Sequence, residues 1–196
     1  LASNTAASKV VPMGAQGVDY LAFSVRAGSS AGTLEQVTLK RAGIGNRTDF
    51  SKVYLYHNGV RVDNGRTLNT DDEVTFNVNV TISANSTETF WVKADMNVDA
   101  SGSTSGDQNY FEIRTASDVE ATGSVGGSFP VRGNGISLGA QDIGTITVTG
   151  RGSDSSAKVG QNAVIVSEFD VAAAATDDVE LAGITLKQRG TAPASA

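Results

Sequence analysis

The amino-acid sequence predicts an all-β protein, and three observations support this fold class. Short segments alternate apolar and polar residues with a period of two, which is typical of strands that bury one face. The segments are separated by stretches rich in Gly, Ser, Thr, Asn and Asp, the residue types that tight turns favour. A pair of these segments also recurs later in the chain, which predicts a repeated β-domain.

The alternating segments follow residues 1–17, a stretch of small and polar residues that contains Pro12. The predicted strands are residues 21–27, 37–40, 53–56, 60–62, 74–82, 90–96, 111–113 and 129–131. The strongest local signal is the dipeptide Asn58-Gly59 between two such runs, because a type I′ hairpin turn needs positive φ at both central residues. Closure of roughly eight strands into an Ig-like β-sandwich would bury their apolar faces.

A repeat organises the chain. The segments 23–25 (Phe-Ser-Val) and 37–40 (Val-Thr-Leu-Lys) have counterparts in 169–171 (Phe-Asp-Val) and 184–187 (Ile-Thr-Leu-Lys). The offset is 146 residues for the first pair and 147 for the second. Loop insertions between strands produce such small changes of offset. Chance resemblance between strands of similar composition is the alternative.

The repeat predicts two domains of unequal length. We expect a first β-sandwich over residues 1–133 that lacks its first strand, and a partial second copy over residues 134–196. A shorter match of Lys9 with Lys158, at an offset of 149, agrees with this division. Each copy then lacks strands that the other has.

An incomplete sandwich would leave unpaired strand edges and an exposed apolar face. Either sequence outside the chain supplies the missing strands, or another subunit supplies them, as in filaments built by strand donation. The second account predicts assembly contacts in the N-terminal segment 1–11 and at a set of apolar positions. These positions are Ile136, Leu138, Ile146, Val148, Phe169, Val171, Ile184 and Leu186.

Composition argues against several classes of function. The net charge of −6 at pH 7 argues against nucleic acid and anionic membranes as partners. Because the chain has no cysteine, disulfides, thiolate metal sites and a cysteine nucleophile are excluded. His57 is the only histidine, which argues against a histidine-based triad or a zinc site with several histidines. We therefore expect neither enzymatic activity nor a cofactor.

Paired aspartates lie where predicted turns meet strands. Asp71 and Asp72, and later Asp177 and Asp178, occupy positions where Asp commonly forms local hydrogen bonds. Solvated turns are the interpretation that we favour. Calcium is the alternative, since its oxygen-only coordination suits Asp, Asn and carbonyl groups.

Three asparagines are candidates for glycosylation. Asn46, Asn79 and Asn85 each begin an Asn-X-Thr sequon, which is the acceptor pattern for N-linked glycans. Such patterns also arise by chance in a chain rich in Asn, Ser and Thr.

Aromatic residues on two predicted strands suggest a binding surface. Trp91 would point away from the apolar side of its strand, as an outward aromatic residue in a sugar-binding platform does. Tyr54 and Tyr56 would extend that platform. A subunit interface, and coverage of a second small cluster or a neighbouring loop, are the alternative roles for Trp91.

Several segments resemble a known class of protein. The runs 14–18, 23–25 and 37–41, with 53–59 and 106–113, resemble the tandem β-sandwich modules of very large prokaryotic cell-surface proteins. The resemblance implies an extracellular role in an S-layer, a fibre or an adhesive stalk, without catalytic residues. We therefore expect a non-enzymatic structural subunit of an extracellular filament or surface layer that assembles by strand completion or edge pairing. The alternative is a carbohydrate-binding or adhesion module of a larger cell-surface protein, with surface polysaccharide as its partner.

Overall fold

The structure is a computed structural model that describes residues 1–98, 103–142, 146–152, 156, 158, 160–173 and 183–187. Its strands are β1 (Lys9–Met13), β2 (Val18–Arg26), β3 (Gly32–Ala42), β4 (Phe50–His57), β5 (Val60–Arg61), β6 (Glu73–Ile82), β7 (Thr87–Met96), β8 (Gln108–Ile113), β9 (Val119–Ala121), β10 (Val131–Arg132), β11 (Ile136–Asp142), β12 (Ile146–Gly152) and β13 (Glu168–Ala173). Short 3-10 turns at Arg47–Asp49 and Ala116–Asp118 interrupt them. The predicted all-β fold class is confirmed. In this part of the chain no helix is long and apolar enough to cross a membrane.

The chain divides into two units, Leu1–Ile143 and Gly144–Ala196. The larger sheet of the first unit has the order β1-β11-β8-β3-β6, with β9 beside β3 and β10 beside β8, and its smaller sheet has the order β2-β7-β4-β5. The strand pairs are antiparallel except β1 with β11, which is parallel. Both sheets contribute to one hydrophobic core, which gives a β-sandwich-like arrangement. The second unit contains the antiparallel pair of β12 and β13.

Period-two alternation explains which side chains fill the core of the first unit. In β7, Phe90, Val92 and Ala94 are fully buried, while the residues between them are partly exposed. Tyr20 of β2 and Phe111 of β8 meet edge to face between the sheets, with ring centroids 5.2 Å apart. Burying an apolar side chain of this size contributes about 1.5–3 kcal/mol, so the contacts between the two sheets stabilise the unit.

The predicted hairpin turn lies between β4 and β5. Asn58 and Gly59 have φ angles of 50° and 77°, as a type I′ turn requires. His57 and Val60 pair directly across the turn. The predicted hairpin is therefore confirmed. It could be predicted from the sequence because its signal depends only on the backbone conformation of two adjacent residues.

The position of β11 corrects the predicted division at residue 133. This strand pairs with both β1 and β8, and its residues Ile136 and Leu138 are 0% and 2% exposed. It completes the first unit, so these two residues are core residues and are not accessible as assembly contacts. The predicted boundary lies among the glycines before β11. Gly133 instead packs on the backbone of Tyr20, where a Cβ would lie 2.6 Å from the carbonyl oxygen.

Candidate assembly surface

The hairpin of β12 and β13 has one apolar side. Cross-strand pairing sets Val148 opposite Val171, and directly opposed residues share a face of the sheet. Because side chains alternate along a strand, Ile146 and Phe169 lie on the same face. The exposed fractions are 37% for Ile146, 63% for Val148 and 40% for Val171. These four residues, all predicted assembly contacts, form a surface that we call the hairpin face.

The other side of the hairpin is polar. Thr147 and Thr149 alternate with the apolar residues of β12, and Arg151 Nε donates a hydrogen bond to Asp170 Oδ2 at 2.6 Å. An exposed ion pair of this kind contributes little to stability. Only the hairpin face therefore gains substantial free energy from being covered.

A turn that precedes β13 repeats a turn of the first unit. Ala15 N donates to Pro12 O at 3.3 Å, and Gln161 N donates to Lys158 O at 3.0 Å. Donor and acceptor are each displaced by 146 residues, the offset that also relates the Phe-containing segments. Lys158 thus takes the place of Pro12, which corrects the match of Lys158 with Lys9.

The backbone conformation of that turn recurs as well. Gly14 and Gly17 have φ angles of 76° and 65°, and Gly160 and Ala163, at the same offset, have φ angles of 82° and 56°. Positive φ is uncommon for residues other than glycine. Its recurrence at an alanine indicates that the turn itself is repeated.

The repeat shows what the hairpin face corresponds to in the first unit. Phe169 and Val171 take the positions of Phe23 and Val25 in β2. Phe23 is 3% exposed, and its ring stacks on Phe90 in the core. The hairpin face is therefore the counterpart of the core-facing side of β2.

The segment that echoes β3 is also exposed in the described part of the second unit. Ile184 and Leu186 are 49% and 75% exposed, whereas their counterparts Val37 and Leu39 in β3 are fully buried. Ile184 and Leu186 are thus accessible, in contrast to their buried equivalents.

The first pair of predicted calcium residues serves a turn of the chain. Asp72 Oδ2 accepts a hydrogen bond from Arg41 at 2.8 Å, and the backbone N of Asp71 donates to a neighbouring asparagine side chain. Among the described residues, no group of three or more His, Cys, Asp or Glu side chains is arranged to hold a metal ion. Asp177 and Asp178 lie outside the described residues. Calcium binding at these positions stays the alternative hypothesis.

The sequon asparagines are all exposed. Asn79 and Asn85 have positive φ angles of 52° and 59°, which place them at a strand irregularity and in a turn. Asn46 Nδ2 donates to Asp107 Oδ2 at 3.4 Å. Glycosylation at these residues also stays a prediction.

The predicted aromatic platform lies on the outer face of the smaller sheet. Tyr56 is the cross-strand partner of Trp91, and both side chains are partly exposed. Tyr54 lies on the same face but is only 7% exposed, with the Arg61 guanidinium 4.2 Å from its ring centroid. The structure thus brings Tyr56 and Trp91 together and leaves Tyr54 mostly covered.

A buried polar cluster in the first unit was not predicted from the sequence. Asp49 is fully buried, and its Oδ2 accepts hydrogen bonds from Asn46 N at 2.9 Å and from Asn109 Nδ2 at 2.7 Å. Arg41 donates to Asn109 Oδ1 at 3.0 Å and to the carbonyl of Gly45. The sequence signal for this cluster is Gly45. A side chain would not fit at this position, because a Cβ would lie 2.6 Å from Asp49 Oδ2. The cluster ties β3, the loop that follows it and β8 together, so its role is structural.

We expect the buried carboxyl to make stability depend on pH. Burial raises the pKa of Asp49 above its ordinary value, and the hydrogen bond from Asn109 opposes that shift. With the folded-state pKa above the unfolded one, the stabilisation is fully present below the unfolded pKa and is lost as pH rises through the folded pKa. The unfolding free energy should therefore fall as pH rises through that window, and Asp49→Asn should flatten the fall. Urea unfolding of both chains across pH measures this, and parallel pH profiles would contradict it.

Comparison with known proteins finds no family model, no curated protein and no solved structure that matches the chain.

Proposed function

We propose that the chain is a non-enzymatic structural subunit of an extracellular filament or surface layer, in which neighbouring subunits join by strand completion or edge pairing. The hairpin face carries this proposal. Its residues Phe169 and Val171 are partly exposed, whereas their counterparts Phe23 and Val25 lie in the core of the first unit or pack against it. A two-stranded hairpin is at best marginally stable in water. A stable second unit therefore needs a cover for that face.

The repeat also suggests a strand edge to which the hairpin adds. In the second unit, β12 pairs with β13, and β13 is the counterpart of β2. In the first unit, β2 is the edge strand of the smaller sheet. The N-terminal segment lies beside that edge, where Ala2 N and the Thr5 hydroxyl both donate hydrogen bonds to the carbonyl of Ala22. Residues 23–26 of β2 lie beyond Ala22 and are the counterparts of residues 169–172, so a β12-type strand from another copy would pair with them as β12 pairs with β13.

Two different surfaces on one subunit favour continued growth. The hairpin face and the β2 edge lie in different units of the chain, so a contact between them joins unlike surfaces of two copies. Such head-to-tail contacts propagate into filaments unless the rotation between copies closes a ring. We place the assembly outside the cell because the surface modules that the sequence resembles act there.

A charge placed on the hairpin face tests the proposal. Val148→Asp should weaken self-association at least about tenfold, since covering the face would then bury an unpaired carboxylate. Thr147→Asp puts the same charge on the polar side of the same strand, opposite Ala172, and it should associate like the unmodified chain. Sedimentation velocity over a range of concentrations measures both, with electron microscopy of the largest species.

Two results would overturn the proposal. One is an unmodified chain that sediments as a 20.1 kDa monomer at every concentration. The other is association of the Val148→Asp chain equal to that of the Thr147→Asp chain. In either case the exposed apolar residues would not be a contact between copies.

A further inference from the structure

A groove of about 620 Å³ lies on the outer face of the smaller sheet. Tyr56 and Trp91 line it from neighbouring strands, and Gly59 of the hairpin turn and the segment 4–9 border it. Binding sites for small ligands are typically concave and combine apolar or aromatic walls with a few polar groups. The groove has this composition, because Asp19 and Lys93 also line it.

The aromatic side chains of the groove are held in place by their neighbours. The Tyr56 hydroxyl accepts a hydrogen bond from Arg61 Nε at 2.8 Å, and the Lys93 ammonium lies 5.5 Å from the centroid of the Tyr56 ring. Trp91 lies opposite Ala22 of β2, and its side chain is partly exposed. Aromatic rings fixed in this way provide contact area at a low cost in conformational entropy.

The segment that borders the groove is anchored at two points. The Thr5 hydroxyl donates to the carbonyl of Ala22 at 2.8 Å, and the backbone N of Ala22 donates back to it at 3.0 Å. Further along, Asn134 Nδ2 donates to the carbonyl of Ala6 at 2.8 Å. The groove is therefore formed before any ligand binds.

The polar groups of the groove suit hydroxyl groups. Lys93 Nζ and Asp19 Oδ1 form an ion pair at 2.9 Å and are 31% and 48% exposed at their side chains. The pair sets a donor beside an acceptor and has no net charge. A sugar hydroxyl donates and accepts at once, so adjacent groups of both kinds can bind it.

We propose that this groove binds a neutral hexopyranose unit of a polysaccharide. The apolar C–H face of the sugar ring packs on Trp91 and Tyr56, and ring hydroxyls bond to Asp19 and Lys93. This goes beyond assembly of the chain, since it gives the subunit an attachment to a carbohydrate surface. Lys9 at the rim adds one positive charge, so acidic sugars are the competing ligand class.

The single tryptophan makes the test direct. Trp91 is the only tryptophan of the chain, so its fluorescence reports on the groove alone. The full chain is titrated with cellohexaose, mannohexaose, fully N-acetylated chitohexaose and hexa-galacturonate. We expect a saturable change with at least one of the three neutral oligomers.

Matched variants connect that change with the groove. Tyr56→Ala should weaken binding at least about tenfold, and Asp19→Asn should weaken it without removing an aromatic ring. Tyr110→Ala should leave affinity unchanged, because Tyr110 belongs to the larger sheet, where Arg132 covers its ring at 4.8 Å. Circular dichroism verifies that each variant folds.

Three outcomes would overturn the proposal. The first is the lack of saturable change with any of the oligomers, and the second is binding by hexa-galacturonate alone. The third is equal affinity in the folded Tyr56→Ala, Asp19→Asn and unmodified chains.

Discussion

A chain that ends at Ile143 should unfold cooperatively, whereas one that ends at Gly133 should fail to fold. The shorter chain lacks β11, which contributes the buried residues Ile136 and Leu138 and joins β1 to β8. Removing a buried Ile or Leu side chain costs about 2–5 kcal/mol, and a domain is stable by only about 5–15 kcal/mol in total. Urea unfolding followed by circular dichroism compares the two chains. Equal unfolding midpoints would contradict the placement of β11.

A pair of substitutions at the same sheet edge provides the control for that truncation. Leu138→Ala should lower the unfolding free energy by about 2–5 kcal/mol. Val10 lies on the neighbouring strand β1 and is 70% exposed, so Val10→Ala should change stability by less than about 0.5 kcal/mol. Similar losses of unfolding free energy for both variants would mean that the burial of Leu138 does not determine its contribution to stability.

Asn109→Leu should cost about 3 kcal/mol of stability, the second large effect that we expect. Asn109 is the side chain that bridges Asp49 and Arg41, and leucine has neither a donor nor an acceptor. Each buried polar group left without its partner costs about 1–3 kcal/mol, and a charged group costs more. Chemical unfolding of the variant measures this loss.

The control is an asparagine at the surface. Asn77 is exposed and accepts a hydrogen bond from Gln36 at 3.0 Å, so Asn77→Leu should cost less than about 1 kcal/mol. Adding Asp49→Asn to Asn109→Leu should cost less than the sum of the two single losses, since both remove the same interaction. Additive losses would show that the cluster does not act as a unit.

Local patterns determined which features could be predicted from the sequence. The Asn58-Gly59 turn and the alternation in β7 depend on residues that are close in the chain, and the structure has both. Alternation with a period of two identifies the side chains that share one face of a strand. It does not identify the neighbouring strand, so pairing between strands that are distant in the chain could not be predicted from the sequence.

Two predictions, the boundary at residue 133 and the match of Lys9 with Lys158, were wrong because a local pattern does not show which residues meet in the fold. The repeat placed a boundary at residue 133, but Gly133 permits close contact with the backbone of Tyr20 and the first unit continues beyond it. The match of Lys9 with Lys158 compared residue types, whereas the hydrogen bond of the turn relates Lys158 to Pro12. The buried Asp49 was missed because its partner Asn109 lies 60 residues away in the chain.

Cross-linking between isotopically distinct chains tests the central claim most directly. Because the chain has no cysteine, Val148→Cys provides a unique site for a benzophenone maleimide on the hairpin face. Unlabelled and ¹⁵N-labelled chains are mixed, irradiated and digested for mass spectrometry. We predict cross-links that join light and heavy peptides, with those from position 148 concentrated on β2 of another copy. Cross-links within single chains alone would contradict assembly through the hairpin face.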